Sequence, residues 1–216
     1  MKIFCIGRNY SDHAKELNNP VPQDPVVFMK PVTALLQNNK AFYYPNFTKD
    51  LHHEIELVYK IGKKGRSIPE DRALNYLSEI TVGIDFTARD LQQKCKEKGL
   101  PWEIAKAFDH SAVVGKWIPI QELDLDNLKF HLSKNEQTIQ KGISNEMIFP
   151  IQKIISYLSQ FFTLILGDLI YSGTPSGVGP VQIGDQLKGF LNDVELFQTE
   201  ITVSYTHLTL PTNREV

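Results

Sequence analysis

The chain is poor in cysteine. Its two thiols, Cys5 and Cys95, lie far apart with no C-x-x-C spacing. That excludes a secreted disulfide scaffold and fits free thiols in a reducing compartment. No apolar run approaches the roughly 20 residues a spanning helix needs. Neither sign of charge dominates: 23 Lys and Arg face 25 Asp and Glu, for a net charge of −2. No strong field is available to attract nucleic acid or an anionic membrane, so neither is an expected partner. No repeat of solenoid period is present. Gly62-Lys63-Lys64-Gly65-Arg66 is basic and glycine-bearing but lacks the phosphate-cradle pattern, and reads as a hairpin loop. Neither a signal peptide nor an Arg-rich transit segment precedes the strand-like Lys2-Ile3-Phe4-Cys5-Ile6, so a cytoplasmic protein is expected.

What remains is an ordinary globular composition. With 216 residues, 42% hydrophobic and 22% charged, the chain suits one large domain. A domain of that size buries about 70% of the surface its unfolded chain exposes, so no covalent or metal staple is needed for stability. Residues 203–216 form a Thr-rich polar stretch without amphipathic period, read as a non-native or disordered tail. The catalytic domain is therefore expected over residues 1–202.

Short strands separated by Gly/Pro turns dominate. They are expected at 26–29, 51–59, 80–86, 115–119 and 129–132, with a polar hairpin over 133–145. Brief helices are expected over 12–17 behind the cap Ser11, 70–77 opening at Pro69, 88–98 stopped by Gly99, and 150–161. In the last of these Ile151, Ile154, Ile155 and Leu158 make the core stripe. This is a mainly β domain, α+β at most, and not an alternating βαβ fold.

The centre of the sequence is Leu-His-His-Glu-Ile-Glu-Leu-Val-Tyr, residues 51–59. Read as one strand it alternates, with Ile55, Leu57 and Tyr59 on one face and His52, Glu54 and Glu56 on the other. The two carboxylates are then roughly 6–7 Å apart at their roots and free to converge. Like charges held together repel unless a cation or a shared proton lies between them. Paired carboxylates are hard oxygen ligands, suited to Mg²⁺, Mn²⁺ or Ca²⁺. A half-buried strand with a solvated polar face fits the same pattern.

Other polar residues stand out by position. His13 and Glu16, three apart on a short helix, have the composition of a general-base pair, and equally of a solvated face. Asp85 ends the apolar run Ile80 to Phe86, where an acid is unusual. With Thr87 available as a helix cap, Asp85 is free to act as a ligand. Arg89 and Gln92 share a helical face. Lys106, close to aromatics, is either a buried carboxylate binder or a snorkelling surface residue. Lys30, after Val26-Val27-Phe28-Met29, is either a site residue or a strand-end surface charge, exposed lysines being the rule. Residues 172–180, Ser-Gly-Thr-Pro-Ser-Gly-Val-Gly-Pro, form a rigid loop that either offers N–H groups to an anion or shapes a pocket wall.

Taken in order, several segments resemble the fumarylacetoacetate hydrolase family, and within it the short acylpyruvase / oxaloacetate decarboxylase branch. They are Gly7-Arg8-Asn9-Tyr10 with His13, Phe28-Met29-Lys30-Pro31, His53-Glu54-Ile55-Glu56-Leu57, and Asp85-Phe86-Thr87-Ala88-Arg89-Asp90-Leu91-Gln92. Pro101-Trp102 with Lys106, Gly167-Asp168, and Ser172-Gly173-Thr174-Pro175 with Gly177-Val178-Gly179 complete the series. The resemblance implies mixed β-sheets rolled around a metal, a few short helices and a homodimer. It implies that Glu54, Glu56 and Asp85 hold one Mg²⁺ or Mn²⁺ per subunit. It implies that His13 and Glu16 activate water from a lid, with Lys106 beside them in catalysis. Arg8, Arg89, Gln92 and Thr174 correspond to substrate-binding groups. The Asn135-Glu136 turn departs from the family's Val-Asn-Gly-Glu hairpin. The N-terminal domain of the larger hydrolases has no counterpart here, which argues against fumarylacetoacetate as substrate. Three carboxylates and a dication leave a site of about −1 by formal charge, open to the two oxygens of a 2-oxo acid. The implied chemistry is C–C cleavage of acylpyruvates, decarboxylation of oxaloacetate, or keto–enol isomerisation of a 2-oxo diacid.

Overall fold

The computed structural model describes residues 1–11 and 22–203. The expected lid helix at 12–17, with His13 and Glu16, lies outside the described residues, as does the tail from residue 204.

The main strands follow in chain order: β1 (Ile3–Gly7), β2 (Val26–Lys30), β3 (Leu35–Leu36), β4 (Phe42–Tyr44), β5 (Leu51–His53), β6 (Ile55–Ile61), β7 (Leu77–Asp85) and β8 (Thr87–Ala88). Helices α1 (Arg89–Lys98) and α2 (Glu103–Lys106) come next, then β9 (Ala112–Val114), β10 (Ile118–Pro119), β11 (Lys129–Lys134) and β12 (Gln137–Ile143). The chain continues through α3 (Ile151–Phe161), β13 (Leu169–Tyr171), β14 (Gly179–Pro180), β15 (Gln186–Leu191) and β16 (Val194–Val203). An eight-stranded sheet runs β2-β1-β13-β6-β7-β9-β3 with β10 on β7, a five-stranded sheet runs β12-β11-β15-β16-β4, and β14-β5-β8 form a third. Most ladders are antiparallel, but β1 pairs β13, β3 pairs β9 and β4 pairs β16 in parallel. The fold is mainly β with mixed sheets and few short helices, as the sequence indicates.

The central segment differs from its reading in two ways. Residues 51–59 are not one strand. β5 belongs to the small sheet and β6 to the large one, and Glu54 is the joint between them. The neighbouring chain bends at the same level, with β7 in the large sheet, β8 in the small one and Phe86 between. Registers Ile55↔Ile84 and Leu51↔Ala88 continue one antiparallel pair through the bend. The Asp85 N–H donates to the Glu54 carbonyl at 2.9 Å and fastens the corner. Alternation cannot reveal such a bend, because it survives a change of sheet.

The second difference is burial. β6 is covered on both faces: Ile55, Leu57 and Tyr59 join the main core, while Val58 joins a second cluster with Ile3, Cys5 and Tyr171. Glu56 is therefore buried rather than solvated. A strand inside an eight-stranded sheet packed on both sides has no wet face to offer.

Smaller corrections follow. The segment after Pro69 is a 3₁₀ helix, Glu70–Tyr76, with Pro69 at its cap position. The strand expected at 115–119 is two pieces, β9 and β10, flanking Gly115. A Cβ on Gly115 would lie 2.8 Å from Thr81 Oγ1 and 2.9 Å from Leu196, so close packing places the glycine there. Ala88, not Thr87, caps α1, and it makes no side-chain cap bond. The α3 stripe is buried as read, and Gly99 ends α1 in the left-handed region at φ 62°.

Candidate metal centre

The corner gathers the acids. Glu54 sits at the joint, Glu56 is two residues on in β6, and Asp85 ends β7. One carboxylate oxygen from each lies within 4.8 Å of the others, and all three residues are buried. His52 does not join them: its Nε2 lies 2.9 Å from Asp50 Oδ1.

Three cations reach this cluster. Lys106 Nζ donates to Glu54 Oε2 at 2.8 Å, Asp85 Oδ2 at 2.7 Å and Thr87 Oγ1 at 2.6 Å, using all three of its protons. It is thus the buried carboxylate binder rather than the snorkelling residue. Burial alone would lower its pKa, but the charges of Asp85 and Glu54 raise it, so the ammonium is kept. Arg89 donates from Nη2 to Glu54 Oε1 and, at 2.7 Å, from Nη1 to Gln92 Oε1.

Lys30 is the third, and it corrects the reading of a surface charge. Its side chain is fully buried, with Nζ 2.7 Å from Asp85 Oδ1. That contact is an ion pair without hydrogen-bond alignment, since Asp85 Oδ1 accepts no hydrogen bond. The protons of Lys30 go instead to Ser111 Oγ at 2.9 Å and to the Lys106 carbonyl. Lys30 therefore compensates Asp85 and ties down the end of α2, from which Lys106 projects.

Glu56 stands apart. Among the described residues no lysine or arginine is within ion-pair distance of it; its Oε2 accepts from the Gly173 N–H at 2.7 Å. Burial, then the charges of Asp85 and Glu54, push its pKa well up. A buried carboxylate facing two others is stable only if it takes up a proton or a cation. A donor set of three hard oxygens, one short of a counter-charge, fits a divalent ion of the Mg²⁺, Mn²⁺ or Ca²⁺ type. The formal count of about −1 is superseded, because Lys30, Lys106 and Arg89 neutralise much of Glu54 and Asp85.

A narrow cavity, partly open to solvent, lies over the cluster. The three acids are in its wall together with Arg8, Arg89, Gln92, Lys106 and Thr174, the groups singled out from the sequence. Arg8 holds φ 60°, a left-handed conformation unusual for a side-chain-bearing residue and more common at functional turns. Arg89 Nε is buried and finds no acceptor among the described residues. The 172–180 loop serves both roles considered for it: its Gly173 N–H meets an anion internal to the protein, Glu56, and its Thr174 lines the cavity.

Sequence reasoning missed Gln140, Lys96 and the role of Lys30. Gln140 reaches across from β12. Its Oε1 accepts from the Ile55 N–H at 3.1 Å and lies 2.8 Å from His53 Nδ1, and its Nε2 donates to Thr174 Oγ1 at 3.0 Å and to the Pro175 carbonyl at 3.1 Å. Because the backbone N–H fixes Oε1 as the acceptor, His53 carries its proton on Nδ1. Burial holds His53 neutral, with its pKa lowered to about 4. No local signal marks Gln140. Lys96 was detectable, as it is on the α1 face that carries Arg89 and Gln92.

Fold and site together define a mainly β protein of mixed sheets with a buried cluster of three carboxylates beneath a cavity. The chain belongs to the fumarylacetoacetate hydrolase family: the family model "Fumarylacetoacetate (FAA) hydrolase C-terminal" matches residues 2–210. It is 42% identical over 201 residues to the oxaloacetate tautomerase FAHD1, mitochondrial, of Arabidopsis thaliana, covering 93% of this chain and 90% of that protein. It is 44% identical over 189 residues to the mitochondrial oxaloacetate decarboxylase of Dictyostelium discoideum, covering 87% of each. The crystal structure of fumarylpyruvate hydrolase from Pseudomonas aeruginosa with Mn²⁺ and pyruvate superposes with a TM-score of 0.89 at 36% identity, covering 94% of this chain and 90% of that one.

Proposed function

We propose that this protein is a divalent-metal-dependent enzyme of 2-oxo acids, cleaving the C–C bond of acylpyruvates to give pyruvate and a carboxylic acid, decarboxylating oxaloacetate to pyruvate, or both. One observation carries the reading: three buried carboxylates within 4.8 Å of one another, one of them without a cationic partner among the described residues, beneath a cavity rimmed with cations. The relatives support it, being named for oxaloacetate and fumarylpyruvate chemistry.

Glu54, Glu56 and Asp85 are the proposed ligands of one Mg²⁺ or Mn²⁺ per chain. When bound, such an ion supplies a Lewis-acid centre that polarises a chelated 2-oxo acid and stabilises negative charge developing beside it. The chain's own groups do the rest. Arg89 lines the cavity and brings positive charge to an anionic oxygen of the substrate. Gln92, whose oxygen is occupied by Arg89, keeps its amide protons for the ligand. Thr174 Oγ1 accepts from Gln140, which leaves its own proton free to donate. Lys106 holds the carboxylates in place and keeps positive charge beside the reacting carbons. Phe28 and Trp102 in the cavity wall limit water access. His13 and Glu16 are proposed to activate water for acylpyruvate cleavage; decarboxylation needs no such attack. On that basis His13→Ala lowers acylpyruvate cleavage more than oxaloacetate decarboxylation, and equal losses would remove the lid residues from the mechanism.

A second reading, keto–enol tautomerisation of oxaloacetate at the same site, draws on the name of the Arabidopsis relative. Both are tested with acetylpyruvate, fumarylpyruvate and oxaloacetate, before and after EDTA and with Mg²⁺ or Mn²⁺ restored, following products by NMR. Pyruvate formation that needs the metal supports cleavage. Exchange of tautomers with conserved mass supports the isomerase. A homodimer is proposed from the family resemblance. A cytoplasmic location is the sequence-based proposal, to be set by fractionation against the mitochondrial naming of the relatives.

A further inference from the structure

The cavity wall holds four cations, Arg8, Arg89, Lys96 and Lys106, against three carboxylates. Arg89 and Lys106 are committed to Glu54 and Asp85. Arg8 and Lys96 pair with no carboxylate among the described residues. Lys96 projects from the same face of α1 as Arg89 and Gln92, at spacings of three and seven that place all three on one stripe. Two helical turns, about 10 Å of rise, separate its backbone from that of Arg89. A long helical side chain leans back toward the helix N-terminus, which carries the ammonium over the cavity rather than away from it. The Trp102 ring, centred 5.9 Å from Nζ, walls it on one side.

A half-buried lysine in the wall of a cavity that also holds two arginines is not a relaxed surface residue. Burial first, then the like charges of Arg89 and Arg8, pull its pKa down against a smaller opposing effect of Glu54. An anion beside Lys96 would relieve that repulsion. The triad end of the cavity already provides for the 2-oxo acid head, through the proposed metal ligands and Arg89. Lys96, two turns further along α1 and without a carboxylate partner among the described residues, is the cation left for a second negative charge on the same ligand.

We propose that Lys96, assisted by Arg8, binds a second carboxylate of the substrate, so that the enzyme prefers dicarboxylic 2-oxo acids over those with an uncharged tail. This rests on the 2-oxo acid reading above and adds to it the charge of the distal end. Lys96 is a specificity residue here and is given no role at the reacting carbons.

The test uses unreactive ligands, so that turnover plays no part. The Mn²⁺-loaded protein is titrated calorimetrically with 2-oxopentanedioate and 2-oxopentanoate, which share a head and a chain length and differ in the distal carboxylate. The wild type is expected to bind the diacid at least about tenfold more tightly, the worth of one charge-assisted hydrogen bond in a partly buried site. In Lys96→Met the ratio of the two affinities falls to about one, and in Lys96→Arg most of it is retained. Methionine is a good helix former, so α1 is expected to persist, which far-ultraviolet circular dichroism checks. An unchanged ratio in Lys96→Met, or equal affinities in the wild type, would overturn the proposal and leave the 2-oxo acid reading standing. Failure of both acids to bind the metal-loaded protein would overturn both.

Discussion

The backbone N–H of Gly173 donates to Glu56 Oε2 at 2.7 Å, and the loop that presents it can be built only with glycine. Gly173 has φ 102°, and a Cβ there would lie 2.6 Å from the Cβ of Asn9. Asn9 cannot yield, because its amide is bound on both sides. Its Nδ2 donates to the Ser172 carbonyl at 2.7 Å and the Phe149 carbonyl at 3.0 Å, and its Oδ1 accepts from the Phe149 N–H at 2.7 Å. Gly173→Ala is expected to cost about 1–3 kcal/mol in urea unfolding from backbone strain, with the Asn9 contact in addition. It also turns the N–H away from Glu56, so Mn²⁺ affinity falls in the same variant. An alanine variant with wild-type stability and wild-type metal affinity would show that the loop adapts freely.

Lys30→Met removes the cation facing Asp85 and the donor that anchors the end of α2. Removing one member of a buried ion pair typically costs about 3–5 kcal/mol. The metal-free variant is therefore expected to unfold at markedly lower urea concentration than the wild type. Saturating Mn²⁺ should recover part of the difference, because a bound dication compensates the same carboxylate. If Lys30→Met melts with the wild type in the absence of metal, Lys30 is the surface charge that its position after a short strand suggests.

Gln140→Leu keeps the shape of the side chain but leaves the Ile55 N–H and the His53 Nδ1–H without their acceptor, in the interior beside Glu54. Each unsatisfied buried donor costs about 1–3 kcal/mol, so a loss of about 2–6 kcal/mol is expected in chemical denaturation. Gln140→Glu retains the acceptor but loses the donors to Thr174 Oγ1 and the Pro175 carbonyl. It should therefore weaken 2-oxo acid binding more than Mn²⁺ binding, measured by sequential titration of metal and then ligand. Equal losses in the two titrations would make Gln140 a structural residue only.

Much of this was written into the sequence, for reasons that can be named. Two acids alternating inside an apolar strand, and a third ending another apolar strand, are conspicuous because such positions are normally hydrophobic. Arg89 and Gln92 were legible through helical spacing, and the hydrogen bond between them follows from it. Tight hairpins were legible as polar turns. Asn135-Glu136 and Asn192-Asp193 both adopt left-handed conformations at each residue, which suits two-residue turns, so the departure from the family's hairpin sequence changes the residues and not the turn. Lys30 was misread because its partner Asp85 is distant in sequence, and nothing local distinguishes a lysine that ends an exposed strand from one that ends a covered strand. The sheet change at Glu54 was invisible because a bent strand keeps its alternation. Gln140 belongs to a different sheet from the acids it supports, so only the tertiary structure brings them together.

The central claim is that Glu54, Glu56 and Asp85 together hold a divalent cation, and titration of EDTA-treated protein with Mn²⁺ tests it most directly. Calorimetry should find one site per chain in the wild type, abolished in Glu56→Gln, whose amide can still accept from the Gly173 N–H but brings no charge to the cluster. Wild-type protein that binds no Mn²⁺, or a Glu56→Gln variant that binds it as tightly as the wild type, would contradict the account.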